Sequence, residues 1–182
     1  MKSVMSHMFS RSPSVNIPRS SFNRSHGVKT TFDAGYLVPF FVDEVLPGDT
    51  FNLRTSGFAR MSTPLYPIMD NLFLETFYFA VPIRLIWTNF QRMMGERDPD
   101  PDSSVDYTVP TLPGVASTGY AEDSLYDYLG IPTKIADLET NALFTRAYNL
   151  IWNEWFRDQN LQDSVVVDKD DGPDDRDWET TN

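Results

Sequence analysis

The sequence predicts a mainly β fold with helical insertions, and three observations lead to this prediction. Residues 35–42, 50–61 and 72–81 are rich in β-branched and aromatic residues and are separated by breaks that contain proline or glycine. Apolar residues at helical spacing occur only in about 82–160. Three strands leave unpaired edges, so we expect the β domain, over residues 33–182, to be incomplete at its C-terminus.

Residues 1–32 predict a basic, extended arm. They contain no acidic residue, only isolated hydrophobic residues, and no helical or strand period. The five cations of the arm are Lys2, Arg11, Arg19, Arg24 and Lys29. Because the whole chain carries a net charge of −11, a basic arm precedes an acidic body. This asymmetry indicates that one end contacts a polyanion.

The three predicted strands follow the arm. Residues 35–42 are almost continuously apolar, and Pro39 removes one backbone donor, which favours an edge position or a bulge. Residues 46–49, with the sequence Leu-Pro-Gly-Asp, predict a turn. Residues 50–61 alternate loosely, as in a half-buried strand, and residues 72–81 give the strongest strand pattern.

Three helices are predicted after the strands. The first begins at Pro82 and ends at Gly95. A second, short helix has Ser124 as its N-cap and ends at Gly130. The longest begins near Asp137 as N-cap and carries a broad aromatic face as far as residue 156.

Two segments are predicted to be irregular. Residues 96–123 are rich in Pro, Asp, Ser and Gly, which indicates a long excursion over a surface. Residues 163–182 form an acidic loop with eight acidic residues and two cations, and we expect mobility after Val167.

The composition argues against several classes of function. The chain has no cysteine, so disulfides, thiolate metal sites and cysteine nucleophiles are excluded. It has no run of about 18 apolar residues that could span a membrane, and we read no secretory signal in it. Both histidines, His7 and His26, lie in the arm, where nothing would hold them beside a nucleophile and an orienting acid. We therefore predict no catalytic residue and no cofactor.

A metal site is also not expected. Asp168, Asp170 and Asp171 resemble the start of a calcium loop, but the glycine at 172 is one position too early for that pattern. Residues 98–102 show the same alternation of aspartates without the required glycine and glutamate. A solvated loop is the simpler interpretation of both segments.

Two surfaces are candidates for function. The arm cations, with scattered phenylalanines, suit single-stranded nucleic acid, since cations neutralise phosphate and rings stack on unpaired bases. The alternative is an arm that clamps a neighbouring subunit. The aromatic helix needs a surface to cover it, in the core or at a subunit interface. Its candidate anchors are Phe144, Tyr148, Trp152 and Trp155.

Five stretches of the chain resemble the major capsid protein of the gokushovirus branch of the Microviridae. The first two read Arg19-Ser-Ser-Phe-Asn-Arg-Ser-His-Gly-Val-Lys-Thr-Thr-Phe-Asp33 and Leu37-Val-Pro-Phe-Phe-Val-Asp-Glu-Val-Leu-Pro-Gly-Asp-Thr-Phe51. The others are residues 69–71 with the aromatic strand that follows, 81–89, and 141–160. One departure is Phe144-Thr145, where relatives are expected to carry a proline, so no helix break is expected there.

The resemblance implies a viral jelly roll, of which this chain would hold the N-terminal part. It also implies a structural subunit of a small icosahedral (T=1) bacteriophage capsid that self-assembles around circular single-stranded DNA. The implied partners are further copies of the chain, the DNA genome, and other virion or scaffolding proteins, with no membrane. The implied location is the virion, assembled in the host cytoplasm.

Two other functions stay open at this point. A jelly roll can equally be a ligand-binding, lectin-like module, because a fold alone does not fix function. An enzyme would require an organised acid and base, and no such pair is evident in the sequence.

Overall fold

The computed structural model describes residues 16–96 and 107–174. Its regular elements are short and all lie after residue 82. In chain order they are a 3-10 helix over Ile83–Leu85, α1 over Phe90–Met93, β1 over Thr111–Leu112, α2 over Leu125–Tyr128, β2 over Thr140–Asn141, α3 over Leu143–Ile151 and a π-helix over Trp152–Phe156. Residues 16–82 run beside these elements as extended or irregular backbone.

The three predicted strands are not formed as hydrogen-bonded strands, and in this respect the structure contradicts the sequence prediction. Residues 16–82, all of which are described, contain no β-ladder. Side chains of these segments still meet, since the Thr55 hydroxyl bonds to the Tyr78 phenol and the rings of Phe40 and Tyr78 lie 6.0 Å apart. A strand is stable only when a neighbour satisfies its backbone, and the described residues provide no such neighbour. The jelly roll therefore stays a prediction.

The predicted turn over residues 46–49 is confirmed. The Asp49 amide donates to the Leu46 carbonyl at 3.1 Å, and the Leu46 amide donates back to the Asp49 carboxylate at 3.1 Å. Gly48 has a φ of 89°, a value that glycine adopts without steric cost.

The first predicted helix is divided in two. The interruption lies between the 3-10 helix and α1, where the Thr88 amide donates to the Lys169 carbonyl at 2.9 Å and the Trp87 side chain is buried. This hydrogen bond to a distant segment takes the place of the helical hydrogen bond that the Thr88 amide would otherwise donate. The predicted stop is confirmed, since Gly95 has a φ of 102°.

The short second helix is confirmed as predicted. The Ser124 hydroxyl accepts the Asp127 amide at 3.5 Å, and the Asp127 carboxylate accepts the Asp123 amide at 3.0 Å. These reciprocal bonds satisfy donors that the first turn leaves open. Gly130, with a φ of 86°, follows the helix in the left-handed conformation.

The longest helix begins later than the sequence predicts. Asp137 is not its N-cap, because its φ is 55° and β2 intervenes before the helix. The Asn141 side chain instead accepts the Leu143 amide at 2.8 Å and opens α3. The helix continues through Phe144 and Thr145, so the expected absence of a break there is confirmed.

Two of the four residues of the core cluster come from the segment that the sequence predicts as a surface excursion. Its buried residues are Leu112, Tyr120, Tyr126 and Ala142. The antiparallel pairing of β1 with β2 brings residue 112 beside residue 140, and the rings of Tyr120 and Tyr126 lie 4.6 Å apart. The prediction for residues 96–123 is therefore wrong over 110–120, while residues 97–106 lie outside the described part. Local composition does not reveal that a polar segment pairs with a distant one.

Candidate nucleic-acid and subunit interfaces

The structure places three of the five arm cations. Arg19 donates from Nη1 to the Gly48 carbonyl at 2.9 Å, and Arg24 forms an ion pair with Asp43 at 2.9 Å. Lys29 is exposed and makes no ion pair within the described residues. Lys2 and Arg11 lie outside those residues. The arm therefore runs beside the predicted first strand and the turn that follows it.

An aromatic contact accompanies the Arg24 ion pair. The imidazole of His26 stacks on the ring of Phe41, with 5.6 Å between centroids and 20° between planes. The His26 Nδ1 lies 3.0 Å from the Arg24 carbonyl, which gives the proton to Nδ1 and leaves Nε2 as an acceptor in the neutral ring. This part of the arm combines a cation with a flat, exposed heteroaromatic ring.

Two tyrosines attach the arm and the segment after it to the helices. The Tyr128 hydroxyl donates to the Thr31 carbonyl at 3.0 Å, and the Tyr148 hydroxyl donates to the Leu37 carbonyl at 2.8 Å. Burial raises the pKa of Tyr148 above its ordinary value. Burial, followed by the charges of Asp123 and Asp127, also raises the pKa of Tyr128. Both phenols are thus neutral donors at physiological pH.

Substitution of Tyr148 by phenylalanine is expected to release this attachment. The lost bond contributes about 1 kcal/mol, so backbone amides beside Leu37 should exchange with deuterium roughly fivefold faster. Tyr66→Phe is the matched control, because that side chain is exposed and makes no hydrogen bond in the described part of the chain. Equal exchange rates beside Leu37 in the two variants would contradict the attachment.

The same bond gives the attachment a dependence on pH. Because the folded pKa of Tyr148 is raised above 10.0, the attachment is fully present below that value and is lost as the pH rises through the folded pKa.

Helix α3 buries its polar side rather than its aromatic side. Its buried residues are Thr145, Arg146 and Asn149. Of the four predicted anchors, Phe144, Tyr148 and Trp152 are half-buried, and Trp155, beyond the end of α3, is 72% exposed. The four therefore do not form a buried core, and their role at a subunit interface stays a prediction.

An exposed aromatic cluster, formed by Phe77, Phe79, Trp155 and Phe156, joins the π-helix to the predicted third strand. The ring centroids of Phe77 and Phe156 are 5.5 Å apart, those of Phe79 and Trp155 are 5.7 Å apart, and those of Phe79 and Phe156 are 6.0 Å apart. Phe77 remains 51% exposed. Aromatic surface of this kind is favourable at protein interfaces.

Arg146 is the residue whose importance the sequence reasoning missed. It is 1% exposed, and its Nε donates to both carboxylate oxygens of Asp174, at 2.9 and 3.0 Å. Its Nη1 donates to the carbonyls of Ile86 and Asp170, at 3.1 and 3.0 Å. A lone arginine inside an aromatic helix, followed by an acidic segment, was the available signal. We call Arg146 and Asp174 the buried ion pair.

The acidic segment is held in place as far as it is described, so the expectation of mobility after Val167 is wrong for residues 169–174. Asp171 accepts hydrogen bonds from the Trp87 indole at 2.5 Å and from the Asn89 amide at 2.9 Å. The Asp174 amide donates to the Thr111 carbonyl at 2.9 Å. Burial raises the pKa of the Asp174 carboxyl, and the Arg146 hydrogen bonds oppose that effect.

The described residues hold neither a candidate metal site nor a candidate membrane span. Over 16–96 and 107–174, no three His, Asp or Glu side chains are grouped closely enough to hold a metal ion. In the same residues, no helix has the length and apolar character needed to cross a bilayer.

The described residues thus present an extended basic arm and an exposed aromatic cluster, and a buried ion pair holds the acidic segment against α3. Residues 10–181 match a family described as capsid protein (F protein). The chain belongs to this capsid protein family.

Curated relatives agree with this membership. The chain is 50% identical over 168 residues to capsid protein VP1 of Bdellovibrio phage phiMH2K, and 51% identical over 172 residues to capsid protein VP1 of Chlamydia phage 1. It is 33% identical over 166 residues to capsid protein VP1 of Spiroplasma virus 4. These matches cover 92%, 92% and 90% of this chain. The resemblance to a Microviridae capsid protein is confirmed.

The chain spans about three tenths of the length of these relatives, with 31%, 29% and 30% of each covered. All three are named capsid proteins, so the comparisons lend no support to the lectin-like alternative.

Proposed function

We propose that the chain acts within a structural subunit of a small icosahedral (T=1) capsid, which assembles with copies of itself around circular single-stranded DNA. The observation that carries the proposal is membership of the capsid protein family over residues 10–181. The subunit makes no covalent change in any substrate. Its work is to bury aromatic surface between copies and to neutralise phosphate inside the particle.

Two features of the chain support assembly. The aromatic cluster can anchor a contact with another copy of the chain, because Trp155 is rigid, large and 72% exposed. Residues 50–79 add further exposed apolar side chains on unpaired backbone, including Phe58 at 94% and Phe73 at 85%. A jelly-roll domain that continues beyond this chain, together with neighbouring copies, would cover such surfaces. Other virion or scaffolding proteins are further candidate partners.

The charge of the arm supports a role in DNA retention. Lys29 is exposed, and the Arg24 side chain is 70% exposed in spite of its ion pair with Asp43. The contacts of Arg19 and Arg24 with residues 43–48 equally suit an arm that clamps protein, so both roles can operate together. Arg19 and Arg24 therefore have fewer guanidinium nitrogens available for phosphate than the sequence alone indicates.

Replacement of Arg11, Arg19, Arg24 and Lys29 by glutamine is expected to lower the DNA content of assembled particles. Each lost phosphate contact weakens binding, and the loss is larger at low salt. The measurement uses protein of the relatives' full length. Particles are counted by negative-stain electron microscopy, and their DNA is measured from the ratio of absorbance at 260 and 280 nm.

The control replaces four exposed cations elsewhere, Arg54, Arg60, Arg84 and Lys134, by glutamine. An equal DNA content in the arm variant and the control would refute the role of the arm. Persistent absence of particles from the unmodified protein would refute the capsid function itself.

A further inference from the structure

An open pocket of about 440 Å³ lies between the arm and the predicted first strand. Its lining residues are Asn23, Arg24, Ser25, His26, Phe41, Val42 and Asp43. This volume falls within the range of pockets that bind small ligands. Neither the family membership nor the relatives assign a role to it.

Two of the lining residues, His26 and Phe41, form a stack of rings, and polar side chains lie beside it. Phe41 supports one face of the His26 imidazole, and His26 is exposed, so its other face is available to a flat ligand. Beside the stack, the Asn23 Oδ1 accepts the Ser25 amide at 3.0 Å and the Ser25 hydroxyl at 2.6 Å. The Asn23 amide nitrogen is thereby left as a donor.

Both charges of the Arg24–Asp43 pair border the same pocket. Asp43 uses Oδ1 for Arg24 and for the Glu44 amide, both at 2.9 Å, while no hydrogen bond from the described residues reaches its Oδ2. Arg24 uses only Nη2 in that pair, so its other guanidinium nitrogens point to no carboxylate in the described chain. The pocket thus offers a donor, an acceptor and a cation around one ring face.

We propose that this pocket binds one unpaired nucleotide of single-stranded DNA, with the base stacked on His26 and the adjoining phosphate on Arg24. The proposal rests on the proposed function and specifies where the arm contacts the genome. A heteroaromatic base matches the ring face, and its hydrogen-bonding edge matches Asn23 and the Asp43 Oδ2. In a duplex both faces of a base are stacked and its Watson–Crick edge is paired, so duplex DNA does not fit this site.

The test measures binding of the full 182-residue chain to fluorescein-labelled oligo(dT), about 12 nucleotides long, by anisotropy at low salt. A second probe is an abasic oligonucleotide of the same length, which keeps the phosphates and lacks the bases. His26→Ala is expected to weaken oligo(dT) binding about tenfold and abasic binding less than about twofold. His26→Phe keeps a ring and should retain oligo(dT) affinity within about twofold.

Phe58→Ala is the matched control, because Phe58 is an exposed aromatic residue outside the pocket, and it should change neither affinity. Circular dichroism of each variant checks that the fold is kept. Unchanged oligo(dT) binding by His26→Ala, equal losses on the two probes, or a tenfold loss in His26→Phe would overturn the nucleotide site alone. Failure of the unmodified chain to bind either probe would overturn both this site and the DNA role of the arm.

Discussion

Replacement of Arg146 by methionine is expected to destabilise strongly the part of the chain from residue 82 to residue 174. The substitution leaves the Asp174 carboxylate, in a residue only 8% exposed, without its cation. It also removes the donor for the carbonyls of Ile86 and Asp170. Loss of one partner from a buried ion pair costs about 3–5 kcal/mol, which is a large fraction of the roughly 5–15 kcal/mol that stabilises a small domain.

Urea unfolding followed by tryptophan fluorescence measures this effect, because Trp87 is 1% exposed and bonds to the segment that Arg146 holds. The control is Lys134→Met, since the ion pair of Lys134 with Glu122 is exposed on both sides and its loss should cost less than about 1 kcal/mol. A midpoint in Arg146→Met equal to that of Lys134→Met would contradict the structural role of the buried ion pair.

Asp174→Leu combined with Arg146→Met is expected to recover only part of the lost stability. Removal of both charges relieves the unpaired carboxylate. The carbonyls that Arg146 satisfies would still lack a donor, and each unsatisfied group costs about 1–3 kcal/mol.

Trp155→Ala is expected to block particle formation while leaving the fold of the subunit intact. The side chain is 72% exposed, so its removal takes little apolar surface out of the core. At an interface, a buried tryptophan contributes about 2 kcal/mol or more, roughly thirtyfold in association per contact. Because each contact is repeated around the symmetry axes of a closed shell, the loss is multiplied.

Particle yield, measured by sedimentation of the protein at the relatives' length, gives the readout. Leu161→Ala is the matched control, because Leu161 is 83% exposed and lies outside the aromatic cluster. Normal particle yield from Trp155→Ala would show that the cluster is not an assembly contact. Loss of the folded subunit would show that its role is internal.

The features that the sequence predicts correctly depend on a few neighbouring residues. The turn over residues 46–49, the Ser124 cap and the stop at Gly95 each follow from side chains that act within four positions. The continuity of α3 through Phe144 and Thr145 is local in the same sense. Such signals are strong because the groups that satisfy each other are adjacent in the chain.

The features that the sequence does not predict depend on distant partners. The predicted strands have the right composition, yet no other strand completes them within the described residues. Asp137 has the chemistry of an N-cap, but the pairing of β1 with β2 requires another conformation there. Arg146 interrupts an aromatic pattern, and only the return of residues 170–174 gives it a partner.

The same distinction applies to the candidate site. Charge counting predicts the basic arm, but not that Arg19 and Arg24 contact residues of their own chain. The aromatic pattern of residues 143–156 predicts a covered face, yet the structure buries the opposite, polar face around Arg146. Periodicity identifies the sides of a helix, and long-range charge pairing decides which side is buried.

The two tyrosine attachments have a consequence for how this protein can diverge. Tyr128 and Tyr148 hold main-chain oxygens at positions 31 and 37, so they recognise the path of the polypeptide and ignore which amino acids lie on it. Substitutions of the side chains from residue 31 to residue 37 therefore leave both hydrogen bonds in place, because each is accepted by a backbone carbonyl.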